Sequence, residues 1–580
     1  MGPVASSSSP RSGRASAVWL SLLLSVSAGL APGCTASSDP LARIDKRYTE
    51  LAVRLGIADR DTARNIRNAE ARRRLSDAET ARVSFFREPL VGETIEKSRG
   101  APEGSLERTK ADAYWRQMII AKAWTEDQKA EETRLIGRLE EARAQEATWT
   151  AADGSIAIPL SDSWVNVSKD ADDLSVELRR ELAQEYVDQQ LSSVDADLLA
   201  LVGLRNTVAQ AAGYANYWEL ALASQGLSPD DVDRIIADLQ PIVKPIDEAV
   251  HDRLQAEADA MGIQLEFANE PLLRRRAGLE QGRDEADLYF DTDLAEERVR
   301  TAFQDMGLST EGWQVYAGPR RYTRSGVYGF PIRPPGNIAI VMSQDQRWSV
   351  WQYEALAHEG GHAVWWNNLP DAAVKSPVLW ELPPPWSEGF AQFFERVVYD
   401  PDFSSRYVPE MDAARAQALD AWRARHMAGW ITDSIVQTLV ERKLYEDPKD
   451  LRAIQRFAAE TRSRLTGMPL PPADGRDFVY DPALVSSIVW VYPAYSQNYL
   501  FAYMTEAWMH DALLGNVGPL VANADAGPVI LERLIQADPG IPFPDRLAAL
   551  SKGERTAALK AYIQGPPAAP AGEAAGGGSD

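Results

Sequence analysis

From about residue 43 onward, apolar positions recur at helical spacing in a background rich in Ala, Leu, Glu, Arg and Gln, so the pattern predicts helix after helix. Trp115, Ile119, Ile120, Leu135 and Leu139 mark one long amphipathic stretch whose apolar stripe reads as a core face. Between Tyr322 and Ser343 the texture changes. Gly326, Gly329, Pro331, Pro334, Pro335 and Gly336 punctuate short runs, which end in the β-branched run Asn337-Ile338-Ala339-Ile340-Val341-Met342. A small β-sheet inside a mainly α protein is the expected result. Helical spacing returns at Ser349 and continues to about Gln564, where Gly565-Pro566-Pro567 opens a tail of Ala, Gly and Pro, 565–580, predicted to be disordered. The sequence shows no internal repeat and no clear linker within the body, 46–564.

Composition narrows the chemistry. Across 580 residues, Asp and Glu number 84 against 61 Lys and Arg, a net charge of −23 that excludes a nucleic-acid binder held by phosphate contacts. Hydrophobic residues at 45% and charged residues at 25% are the mix of a globular protein rather than a disordered one. A single cysteine excludes an intrachain disulfide framework and a thiolate zinc cluster. Any bound metal must be held by histidines and carboxylates.

The N-terminus carries Arg11 and Arg14, then an apolar run from Ala17 to Leu30, too short to span a bilayer comfortably but suited to a signal peptide, assigned to residues 1–33. Cys34 follows Leu30-Ala31-Pro32-Gly33, which resembles the lipobox of bacterial lipoprotein signals. That resemblance implies lipidation at Cys34, a linker over 34–45, and an exported lipoprotein on the periplasmic side, anchored to a membrane by its acyl chains. No later stretch of the sequence has transmembrane character.

The feature that decides the chemistry is His358-Glu359-Gly360-Gly361-His362, an HExxH motif whose histidines lie four apart and therefore on one helical face, where they can chelate one ion. Ser349 and Gln352 form an S-x-x-Q capping box that starts this helix. Gly360 and Gly361 lower helix propensity but let another segment approach closely. Catalytic zinc takes three protein ligands and leaves a fourth position for water. A continuation HExxHxxGxxH is absent, because Trp365 and Asn368 stand where its glycine and third histidine belong. The downstream segment Trp380 to Glu395 offers Glu381 and Glu388 instead. Glu388, 388 − 362 = 26 residues past the second histidine, is preferred; Glu381, just before the proline run, is the alternative. Gln392 and Glu395 follow Glu388 by one and two turns and are candidates for hydrogen bonds that orient the imidazoles.

Several blocks in order resemble the gluzincin oligopeptidases, the group that includes thimet oligopeptidase, with more distant likeness to angiotensin-converting enzyme and the Taq-type carboxypeptidases. These are Leu204-Arg205-Asn206 with Gly213-Tyr214 and Tyr217-Trp218-Glu219-Leu220; Arg321, Gly326 and Pro331 ahead of the strand at 338–342; Ala355 to Ala363 around the motif; Glu388 with Gln392 and Glu395; and Tyr492-Pro493-Ala494-Tyr495-Ser496-Gln497-Asn498-Tyr499-Leu500. The resemblance covers about 200–515. It implies a large helical metallopeptidase fold around a substrate channel, one zinc ion per chain held by His358, His362 and Glu388, and short peptides as substrates. It departs at 485–491, Val-Ser-Ser-Ile-Val-Trp-Val, where the family usually carries a histidine. His426 and His510 are the remaining candidates for that role.

The expected reaction is peptide-bond hydrolysis, with Glu359 as general base and then acid, and with Tyr499 and Tyr492 donating to the oxyanion. The strand at 338–342 is expected to align an extended peptide through its main chain. Dipeptidyl carboxypeptidase or carboxypeptidase action on the same fold is a close rival. A non-catalytic, zinc-containing peptide-binding lipoprotein is a reading of a different class, against which the intact Glu359 argues.

Overall fold

The computed structural model describes residues 39–143, 147–160, 167–168, 171, 173–192, 194–319, 321–324, 326–344, 349–470 and 487–564. The signal peptide 1–33, Cys34 and the tail 565–580 lie outside the described residues. Apart from Asp39, the described residues belong to the compact unit Pro40–Asp580. The fold is mainly α, with helices from Ala42–Arg64 at one end of the chain to Arg555–Gln564 at the other. Helix begins at Ala42, so ordered structure reaches into the last residues of the segment assigned to the linker, because Ile44, Tyr48 and Leu51 are buried. No helix among the described residues is long and apolar enough to cross a membrane.

The stretch read as one amphipathic helix is two, Leu106–Ala123 and Glu126–Arg143. The break is local chemistry: the Gln128 backbone donates to Thr125 Oγ1 at 3.2 Å and the Thr125 backbone donates to Gln128 Oε1 at 3.0 Å, a reciprocal cap that starts a new helix. Leu135 and Leu139 are buried as expected, but in the first helix the buried face is Ala111, Tyr114 and Met118, with Trp115 and Ile119 half-buried beside it.

Two small sheets interrupt the helices. β1 (Thr148–Thr150) and β2 (Ala157–Pro159) form an antiparallel pair that the sequence pattern did not signal. β3 (Trp313–Pro319), β4 (Val327–Pro331) and β5 (Ile338–Gln344) form the expected sheet in the order β3-β5-β4. β3 runs parallel to β5 and β4 antiparallel to it. Strand β5 is apolar on both faces because both are covered: Ile338, Ile340 and Met342 pack with the helix Ser349–Asn367, and Ala339 and Val341 pack with Phe330 and with Ala63 of the first helix.

This topology corrects one expectation. β5 is the central strand and its main chain is committed on both sides, so it cannot take a peptide as an added strand. β3 and β4 are the outer strands, each with one edge left unpaired among the described residues.

Candidate metal centre

The helix Ser349–Asn367 starts where the sequence placed it, and the Val350 backbone N–H donates to Asp287 Oδ1 at 2.9 Å. From Glu359 to Trp366 every residue is buried, so the helix is enclosed rather than laid on a surface. Its two glycines make that possible. A Cβ at Gly360 would stand 2.8 Å from the Trp313 ring, and one at Gly361 would stand 2.8 Å from Phe394 and 2.9 Å from the Ala391 Cα. The second contact brings in the helix Pro384–Tyr399, which opens on a proline run suited to a helix N-terminus. On its other side Gly389 lies against Thr505 and Ala502 of the helix Ser496–Val517. Three helices thus meet at glycine contacts, and Glu388 sits where they converge.

His358 and His362 present their rings 5.1 Å apart. Glu388 Oε2 lies 3.3 Å from His358 Nε2, and its Oε1 lies 3.8 Å from His362 Nε2. One ligand atom from each of the three falls within 4.8 Å of the others. The far ring nitrogens have partners of their own: His358 Nδ1 is 3.2 Å from Glu395 Oε2, and His362 Nδ1 is 3.2 Å from Ser387 Oγ. With Nδ1 protonated to donate to these oxygens, both Nε2 lone pairs are free to face Glu388. Glu388 Oε2 is buried without a hydrogen bond, while Oε1 accepts from the Tyr495 hydroxyl at 2.6 Å. Two imidazole nitrogens and a carboxylate oxygen, with their partners fixing the rings, are a donor set that suits a divalent metal ion such as zinc. The residues present fit the ion.

Charge at Glu388 and at His362 supports the same assignment. Burial works against ionisation of Glu388, yet the neighbouring imidazoles and Tyr495 hold its carboxyl down at about 2, so it is an anion at neutral pH. Burial, helped by His358, pushes His362 down to about 4, which keeps it a neutral ligand. Burial also works against a charged His358, but Glu388 and Glu395 outweigh it and raise the ring well above its usual value.

Glu359, between the two histidines, is buried, and burial together with the Glu388 charge raises it to about 7. A Gly329 backbone hydrogen bond and the His358 charge act in the opposite direction. Gly329 lies on β4, and a Cβ there would be 2.7 Å from Glu359 Oε2 and 2.8 Å from the Trp366 ring. Trp366 in turn stacks on His362 at 5.6 Å and 18°. One of the two edge strands, β4, therefore runs directly beside the carboxylate of Glu359.

Behind His358 stands a buried charge network. Arg423, fully buried, donates to Glu395 Oε1 at 3.3 Å, to Glu506 Oε1 at 2.9 Å and to the Tyr562 hydroxyl at 3.0 Å. The Tyr399 hydroxyl donates to Glu354 Oε2 at 2.6 Å, and burial plus the nearby Glu395 charge raises Glu354 well above the carboxylate range.

Other expected residues fall elsewhere. Gln392 is buried, but its Oε1 has no partner and no hydrogen bond joins it to an imidazole; Ser387 takes the role at His362 instead. Tyr499 lies in electrostatic range of Glu388 and Glu359. Tyr492 has no hydrogen bond to the ligands: its ring stands 6.1 Å from Tyr328 and 5.7 Å from Tyr495, and it lies among Asp59, Arg324 and Glu140. The tyrosine that touches the centre is Tyr495, which the sequence reading passed over, although 492, 495 and 499 share helical spacing. His426 is held by Trp422 and Glu280, and His510 packs against Phe393, so neither reaches the centre.

No protein-family model matches the chain, and no curated protein matches it. Among solved structures it is similar to the crystal structure of BsuCP, a B. subtilis carboxypeptidase of the Taq type, with a TM-score of 0.60 at 12% identity. The likeness covers 90% of this chain and 98% of BsuCP. The architecture is that of the BsuCP fold.

Proposed function

We propose that the protein is a zinc-dependent peptidase that hydrolyses short peptides. The observation that carries this reading is the convergence of His358, His362 and Glu388 with Glu359 held beside them and against the open edge of β4. Zinc, when bound, polarises the scissile carbonyl and lowers the pKa of an attacking water towards about 7. Glu359 accepts the proton of that water and passes it to the leaving amine; a carboxyl near neutrality suits both transfers. The β4 main chain aligns an extended substrate, with Gly329 letting it lie close to Glu359. Tyr499, in range of both Glu359 and Glu388, donates to the oxyanion. Tyr495 holds the ligand carboxylate of Glu388.

Membership of the gluzincin oligopeptidase group is part of this reading, on the sequence blocks described above. Removal of C-terminal residues is the second reading, favoured by a likeness to BsuCP that runs through almost the whole of both chains. Export and a lipid anchor at Cys34 are proposed from the apolar run Ala17 to Leu30 and the lone cysteine behind it. Cys34→Ala is expected to release the protein from the membrane fraction.

A quenched peptide panel tests the reaction. Wild type cleaves, and chelator-treated protein and Glu359→Gln lose roughly 100-fold or more while Glu359→Gln keeps its metal. Mass analysis of the product ends separates internal cleavage from trimming at the C-terminus. A zinc-loaded wild type that cleaves nothing in the panel rejects the reading in favour of a peptide-binding protein.

A further inference from the structure

Resting on the zinc-site reading, we propose that Gln225 is a positioning residue: it clamps the Ala494 peptide so that Tyr495 meets the metal ligand Glu388. Gln225 ends the helix Tyr217–Gln225, which takes no part in the chemistry described so far. The Asn206 side chain accepts from the Tyr217 backbone at 3.0 Å and donates to the Tyr445 carbonyl at 2.8 Å, which pins the start of that helix to the helix Ala413–Glu446. Asn216 caps the same end by accepting from the Glu219 backbone at 3.1 Å. A helix fixed at its start delivers its last residue to a defined place.

There, Gln225 Nε2 donates to the Ala494 carbonyl at 2.7 Å. Gln225 Oε1 accepts from Gln497 Nε2 at 3.1 Å, and Gln497 also donates to the Ala494 carbonyl. The Ala494 N–H donates to Glu441 Oε1 at 2.6 Å. Both polar groups of Ala494 are thus taken by side chains from three helices, Tyr217–Gln225, Ala413–Glu446 and Ser496–Val517.

The backbone explains why a clamp is needed. Ala494 has φ of 53°, a left-handed conformation that a residue with a Cβ adopts only when its surroundings impose it. The next residue, Tyr495, stands at the start of the helix Ser496–Val517, and its hydroxyl donates to Glu388 Oε1 at 2.6 Å. From Gln225 to the ligand the path is one carbonyl, one backbone step and one phenol. Gln497 and Glu441 are buried, so changing them disturbs the core, whereas Gln225 is half-buried at a helix end.

Zinc competition with a chromogenic chelator tests the clamp on the full chain without relying on turnover. At neutral pH, Gln225→Glu keeps the side chain's shape and its acceptor for Gln497 but loses the donor to Ala494; Gln225→Ala loses both. Each is expected to lower zinc affinity roughly 3- to 10-fold with the folded signal retained, and Tyr495→Phe to do the same. Because Gln225 acts through Tyr495, adding Gln225→Glu to Tyr495→Phe is expected to cost nothing further. Wild-type affinity in Gln225→Glu, or losses that add in the double variant, overturn the proposal. Hydrogen exchange over 494–499 in metal-free protein is expected to quicken in both Gln225 variants, and unchanged protection there overturns the proposal whether or not zinc binds. These measurements keep it apart from the peptidase reading: a coupled loss upholds the clamp even if wild type cleaves no peptide, and full affinity in Gln225→Glu rejects the clamp while hydrolysis by wild type stands.

Discussion

Glu395 Oε2 stands 3.2 Å from His358 Nδ1, two turns beyond Glu388 on the same helix. One helix thus supplies both a metal ligand and the acceptor that fixes the tautomer of a second ligand on another helix. Ser387, the neighbour of Glu388, performs the same service for His362. The geometry of the centre is therefore set by the packing of two helices at Gly361 rather than by flexible loops.

Removing these acceptors should weaken the metal without unfolding the protein. Glu395→Gln is expected to lower zinc affinity roughly 10- to 100-fold and Ser387→Ala by a smaller factor, measured by competition with a chromogenic chelator. Unaltered affinity in both variants would show that the imidazoles are oriented by packing alone.

Gly329 is expected to matter for turnover and not for the metal. In Gly329→Ala the new methyl group meets Glu359 Oε2 and the Trp366 ring, so kcat/KM should fall roughly 100-fold at full zinc occupancy. Loss of zinc in step with activity would place the effect on the ligands instead.

Glu441 gives a stability signature in pH. It is buried and accepts the Ala494 N–H at 2.6 Å, at the turn that leads into Tyr495 and Tyr499. Burial pushes its carboxyl up from its ordinary 4.5 to about 8, against the pull of the Ala494 N–H and Arg205. A carboxyl raised in the folded state favours folding fully below about 4.5, and this contribution is lost as pH rises through about 8. Glu441→Gln keeps an acceptor and removes the titration. Its melting temperature should match wild type near pH 4 and lie above it near pH 9, for a stability gain on the order of a few kcal/mol. Parallel melting curves across that range would contradict this.

Much of the centre was legible because its signals are local. HExxH spacing puts two imidazoles on one face, and the proline run before Glu388 marks a new helix one turn ahead of the third ligand. The misses come from non-local geometry. The sheet order β3-β5-β4, which puts β5 in the centre and leaves the edges to β3 and β4, depends on how a parallel and an antiparallel partner flank β5, and a β-branched run carries no such information. Tyr492 shares helical spacing with Tyr495 and Tyr499, yet its ring packs against Tyr495 and Tyr328, and it is Tyr495 that hydrogen-bonds Glu388. Gln392 and Ser387 are both within a turn or so of Glu388, and only the crossing of two helices decides which faces His362. Arg205 tethers the segment before the tyrosines by donating to the Trp490 carbonyl at 2.6 Å, and Asn206 donates to the Tyr445 carbonyl at 2.8 Å in the helix Ala413–Glu446.

Zinc affinity and stoichiometry of wild type beside Glu388→Gln test the central assignment most directly. Wild type should bind one zinc per chain, and the variant should lose affinity by roughly 100-fold or more while its folded signal is retained. A Glu388→Gln protein that holds zinc as tightly as wild type would contradict the account, because the orphaned oxygen facing His358 would then have no part in holding the ion.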